Sequence, residues 1–154
     1  MRVIEKIDLK QLYEIDDDLW LEETIDLLKE RKFNELDLEN LIEELENLGK
    51  RDKLAVGSLL EQIIRHILLL TYWDIEYERN HRHWKAEIKS FRKQLKKGLT
   101  TNLKNYLANN LEEIYQEAID YVQVKSNLNI FPLECSYTLD QLLDDDWFPP
   151  VNNN

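Results

Sequence analysis

An all-α fold, a single-domain bundle of about four to five helices around a long central helical segment (37–73), follows from three features of the chain. Hydrophobic residues make up 43% of the 154 residues, too many for a disordered polymer, while only three Gly and three Pro leave few of the turns an all-β fold requires. Residues 36–49, LDLENLIEELENLG, have the markings of a helix start, with Asp37 as N-cap and Leu36 and Leu41 as a hydrophobic staple. Between Leu59 and Trp73 apolar residues then occupy almost every side, which marks the most buried segment.

Taken in order, residues 1–15 and 148–154 carry the weakest signals and are the candidates for loose order. Asp16 caps a helix running to about Lys32, with Leu19, Trp20, Ile25, Leu27 and Leu28 as its apolar surface and Lys29, Arg31 and Lys32 at its negative end. In the central segment Leu38, Leu41, Ile42, Leu45 and Leu48 recur at helical spacing and are expected to face a core; Glu39, Glu43, Glu44 and Glu46 cover the other side. Gly49 and the polar patch Lys50–Lys53 interrupt this pattern, but no Pro blocks continuation, and an isolated Gly costs only about 1 kcal/mol against Ala. Residues 74–80 read as a turn into a third helix with the stripe Trp84, Ile88, Phe91, Leu95 and Leu99. Gly98 marks a break, a further helical stretch runs to about Ser126, and Thr138 with Gln141 forms a capping box for a last short helix.

The formal charge of −11 and pI near 4.8 disfavour nucleic acid or anionic lipid as partners and suit a basic partner better. Cys135 is the only cysteine, so no intramolecular disulfide forms, and the N-terminus lacks a signal-peptide hydrophobic region. A cytoplasmic protein that needs no membrane is expected. The most apolar run, Ile67–Trp73, falls far short of the roughly 20 residues of a spanning helix.

Three stretches, LDLENLIEELENLGK, the preceding WLEETIDLLKERKF and the distant FPLECSYTLDQLLDDDWFP, resemble the bacterial "domain of unknown function 29" proteins. The resemblance covers about Tyr13 to Pro149. It implies an almost entirely helical domain and carries over no activity, cofactor or catalytic residue. The chain departs from the family pattern at TYWDIEYERNHRHW, where the family has a Lys-Trp-Gln-Tyr-like turn and an Arg/Ser-rich lead-in; Trp84 matches the tryptophan there, and His81 and His83 match nothing.

Among candidate chemistries, Glu78 and His81 stand three apart, with His83 beyond. A helical Glu and His at that spacing can bind one ion, but di-iron carboxylate sites need two such motifs and two more carboxylates. A solvated helix start is the simpler reading, and no metal or other cofactor is expected. His66, in the apolar segment, reads as a neutral core histidine bonded to a neighbour, and Cys135 in acidic surroundings reads as structural rather than nucleophilic. Charge is segregated: residues 79–104 hold nine Lys/Arg against Glu87, a net of +8, which leaves −19 for the rest. Arg82, Lys85, Lys89, Arg92 and Lys96 form a basic edge on the third helix. The favoured reading sets this edge against the Glu39, Glu43 and Glu46 face, within the molecule or across a homodimer. The rival readings are a nucleic-acid accessory protein using the basic helix 79–97 and, more weakly, a carboxylate/histidine metalloenzyme. No catalytic constellation is present in the sequence, so the function it suggests is protein–protein interaction or self-association.

Overall fold

A computed structural model describes residues 8–150. The part of the N-terminal and C-terminal stretches lying at 1–7 and 151–154 falls outside the described residues. Every regular element among them is helical: α1 (Leu9–Ile15), α2 (Asp17–Lys29), a 3-10 turn (Phe33–Glu35), α3 (Leu38–Tyr72), α4 (Asp74–Lys97), α5 (Thr101–Asn109), α6 (Leu111–Ser126) and α7 (Leu139–Leu143). Among the described residues the expected four to five helices are seven, for local reasons given below. The chain divides into two compact units, 1–50 and 51–154, with α3 contributing to both.

In the first unit Asp8 and Asp16 cap α1 and α2 through their carboxylates, which accept from the N–H groups of Gln11 and Leu19. α1 occupies part of the stretch marked for loose order, and its Leu12 is buried. Arg31, at φ 59°, ends α2 in a left-handed turn: the Lys32 N–H reaches the Leu27 carbonyl at 2.9 Å and the Arg31 N–H reaches Leu28 at 3.1 Å. Trp20, Thr24 and Asp37 form the buried centre of this unit. Asp37 does more than cap α3. Its carboxylate accepts from the Asn40 N–H at 3.4 Å, the Asn40 amide at 2.6 Å and the Trp20 indole at 3.3 Å. α1 is tied to α3 by Lys10–Glu39 (3.1 Å) and by the Tyr13 hydroxyl donating to Glu44 at 2.5 Å; that bond holds the Tyr13 phenol up at about 12.

In the second unit the core is built on the α3 residues Val56, Leu60, Ile63, Ile64, Ile67 and Leu68–Leu70, as their density of apolar groups predicts. Trp84, Ile88 and Leu95 of α4 and Ile114, Ala118, Ile119 and Val122 of α6 pack into the same core. Residues 74–80 are not a turn: only Trp73 separates α3 from α4, because Asp74 and Glu76 stand in the first turn where the positive end of the helix dipole favours them. Gly98 ends α4, whereas Gly49 lies inside continuous α3. The single helical stretch expected after Gly98 is two, α5 and α6, split at Asn110, whose side-chain amide donates back to the Tyr106 carbonyl at 2.8 Å.

The residues after α6 are pinned along that helix. Tyr115 donates to the Pro132 carbonyl (2.7 Å), Gln116 to Leu133 (2.5 Å), and the Cys135 N–H to Glu112 (3.1 Å). Phe131, Leu139, Leu142 and Leu143 then enter the core, Phe148 packs against it and Pro149 is buried, so the described part of the stretch 148–154 is docked rather than loose. The capping box at α7 is present in full: Thr138 accepts from the Gln141 N–H at 3.1 Å and the Gln141 side chain accepts from the Thr138 N–H at 3.0 Å. Thr138→Ala is expected to cost about 1 kcal/mol, read as a fall of about 2–4 °C in thermal denaturation.

Candidate interaction surfaces

Three features of the surface bear on function: the basic edge of α4, an aromatic hollow beside His66, and an uncovered apolar seam on α3.

The basic edge differs from its reading in sequence at Arg92. Arg82 and Lys89 are exposed and Lys85 is half-buried, but Arg92 is 0% exposed and belongs to the core face. Its Nε donates to the Leu142 carbonyl at 2.7 Å and its Nη2 to Gln141 at 3.3 Å, so the guanidinium closes the C-terminal end of α7. Nη1 lacks a hydrogen-bond partner among the described residues, and Cζ lies 5.3 Å from the centroid of the Phe148 ring. Burial lowers the pKa of this guanidinium from its ordinary value, opposed by the acids Asp144, Asp145 and Asp146. Arg92 must therefore be removed from the candidate interaction surface. Its spacing holds the signal: four residues after Ile88 and three before Leu95, it shares their face as well as the edge.

On this edge Lys96 meets an acid of the C-terminal segment, as does Lys104 on α5. Lys96 pairs with Asp145 at 3.0 Å and Lys104 with Asp140 at 3.6 Å, while Lys85 lies 5.7 Å over Phe148. Lys89, Lys93, Lys96, Lys97 and Asp145 line an open hollow of about 530 Å³. These pairs are largely exposed, and each contributes only about 0–1 kcal/mol.

His66, Trp73, Asn80, His83, Trp84 and Tyr121 line a second hollow of about 290 Å³. His66 is half-buried, its Nδ1 is 2.7 Å from the Gln62 carbonyl, and burial lowers its pKa, so the ring stays neutral near pH 7. Trp73 and Trp84 stack at 6.0 Å and supply the apolar walls. On α4, His81 bonds the Tyr77 carbonyl at 2.8 Å and stacks on that ring at 4.7 Å, while Glu78 and His83 are exposed. Among the described residues no three His, Cys, Asp or Glu side chains converge to hold a metal ion. Burial raises the Cys135 thiol above its ordinary pKa, Glu112 adding to the shift and the Tyr137 carbonyl opposing it, which leaves little thiolate at neutral pH.

The third feature overturns an expectation about the core. Leu38, Ile42 and Leu45, marked by their spacing as core residues, are 56%, 53% and 60% exposed, and Leu48 is exposed beside them. On α2 a second stripe, Leu21, Ile25 and Leu28, is also open. Periodicity identifies which residues share a face of a helix; whether anything covers that face depends on the packing of other elements. Glu39, Glu43 and Glu46 are exposed along one flank of the α3 stripe, with Glu39 held by Lys10.

The family model for the domain of unknown function DUF29 matches residues 12–148. The chain belongs to the DUF29 family. No curated protein and no solved structure matches it. The DUF29 match takes in every helix from Leu12 onward, including the α3 stripe and the buried Arg92 with both of its carbonyl acceptors. One DUF29 helix, α3, is long and apolar enough by length and composition to cross a membrane, which the short run Ile67–Trp73 did not suggest. Half of its apolar window is buried inside the protein.

Proposed function

We propose that this chain is a protein-interaction module without a catalytic centre of its own, and that α3 docks its partner. The observation that supports this reading is the exposed apolar line Leu38, Ile42 and Leu45. Scattered surface leucines need no explanation, but a line of large apolar groups along one helix face, with a second on α2, is the type of surface that monomeric proteins keep covered. The nucleic-acid reading has less to stand on, since Arg92 is buried and Lys96 is paired with Asp145.

A photo-crosslinking amino acid placed at 42 or 45, in cells that make the full chain, tests the reading. Position 75, where Ile75 is exposed on α4, serves as control. One adduct of a single identified protein, arising at 42 and 45, absent at 75 and lost in Leu38→Glu, is the expected result. Adducts that are equal at all three positions, or absent at all three, would remove it.

A further inference from the structure

We infer that the occupant of the α3 seam is a basic amphipathic helix of another protein. This inference rests on the interaction reading above and names the chemistry of its partner.

The geometry of α3 supplies the first reason. Eighteen residues make five full turns of an α-helix, so residues 18 apart lie on the same line. Leu38, Ile42, Leu45 and Gly49 in the first unit therefore repeat the helical spacing of Val56, Leu60, Ile63 and Ile67 in the second. The second set is buried at the centre of its unit; the first is open. The face that receives helices in one half is thus repeated, uncovered, in the other. It runs for about three turns, or roughly 17 Å. A Cβ added at Gly49 would meet nothing within 4 Å, so the seam ends in a low point where another backbone can approach closely. A straight ridge with that spacing is what a partner helix packs its own ridges against, presenting anchors at i, i+3 or i+4, and i+7.

The charge beside the seam selects the partner. Glu39, Glu43 and Glu46 border the apolar line on one side. Residues 1–50 as a whole carry sixteen Asp/Glu against seven Lys/Arg, a net of −9. A second copy docking through this same seam would bring the same −9 to the interface, and like-charge juxtaposition opposes that pairing. A helix with Lys or Arg flanking its apolar anchors meets both the seam and its acidic border.

Two labelled peptides of about 20 residues test this against the full-length chain. Both place Leu at i, i+3, i+4 and i+7; one carries Lys at the flanking positions and the other Glu. Fluorescence anisotropy at low salt is expected to show the Lys peptide binding at least about tenfold tighter, with the preference shrinking as salt rises. Leu45→Glu abolishes binding, and the triple variant Glu39→Lys, Glu43→Lys, Glu46→Lys reverses the preference. Equal affinity for both peptides overturns the inference. So does a concentration-dependent dimer by light scattering that binds neither peptide; the seam then belongs to a second copy and the interaction reading stands. A monomer that binds neither peptide also overturns the inference, and the crosslinks at 42 and 45 decide whether the broader reading falls with it.

Discussion

Ile63→Asp abolishes the cooperative unfolding transition of unit 51–154. Ile63 is wholly buried on α3, among Leu60, Ile64 and Ile67. A carboxylate placed there either loses its hydration without a partner or takes up a proton and remains a buried polar group; in both cases the cost exceeds about 4 kcal/mol, a large part of the 5–15 kcal/mol by which domains are stable. The measurement is chemical denaturation followed by circular dichroism. Ile63→Val provides the calibration, since it removes one methylene and is expected to cost only about 0.5–1.5 kcal/mol. A near-normal transition in Ile63→Asp would mean that Ile63 is not at the centre of the core.

Arg92→Ala has the next largest expected effect, about 3 kcal/mol. Two hydrogen bonds from a charged donor to the Leu142 and Gln141 carbonyls are lost, each worth about 1.5–3 kcal/mol, and relief from burying the charge offsets part of that loss. The damage should be local before it is global. α7 and the residues leading to it should become sensitive to limited proteolysis between 127 and 138 at temperatures where α3 remains folded. Arg92→Met separates the causes: it keeps the aliphatic stem and drops the donors. If Arg92→Met is as stable as the wild type, burial of the charge cancels the carbonyl bonds and this account of Arg92 is wrong.

The legibility of the chain follows a physical line. What depends on neighbours in sequence could be read: the Asp16 cap, the Thr138–Gln141 capping box, the end of α4 at Gly98, and the dense apolar run from Leu59 that forms the core. What depends on distant partners could not. Arg92 sits on the boundary between the apolar and basic faces of α4, and only the arrival of α7, some fifty residues later, assigns it to the interior. Leu38, Ile42 and Leu45 repeat the pattern of Val56, Leu60 and Ile63, yet one set is covered and the other is not. The split at Asn110 was hidden for a different reason, and the break expected after Trp73 was drawn too long, as a turn over 74–80. Each turns on a single residue, and neither is a Gly or a Pro. Of the residues marked as candidate sites, Glu39, Glu43 and Glu46 lie beside the exposed apolar line of α3, although the charge segregation that drew attention to them pointed to α4 instead.

The pinning of Arg92 by carbonyls some fifty residues downstream also bears on how the protein is made. While α4 and α6 are leaving the ribosome, the guanidinium faces a half-built interior with nothing to receive its protons. Residues 139–143, which supply the acceptors and further apolar side chains of the core, are synthesised after both helices. The interior of the second unit is therefore completed only once residues 139–143 have emerged, and a message truncated a few codons before residue 139 yields a chain that quality-control proteases should treat as unfinished.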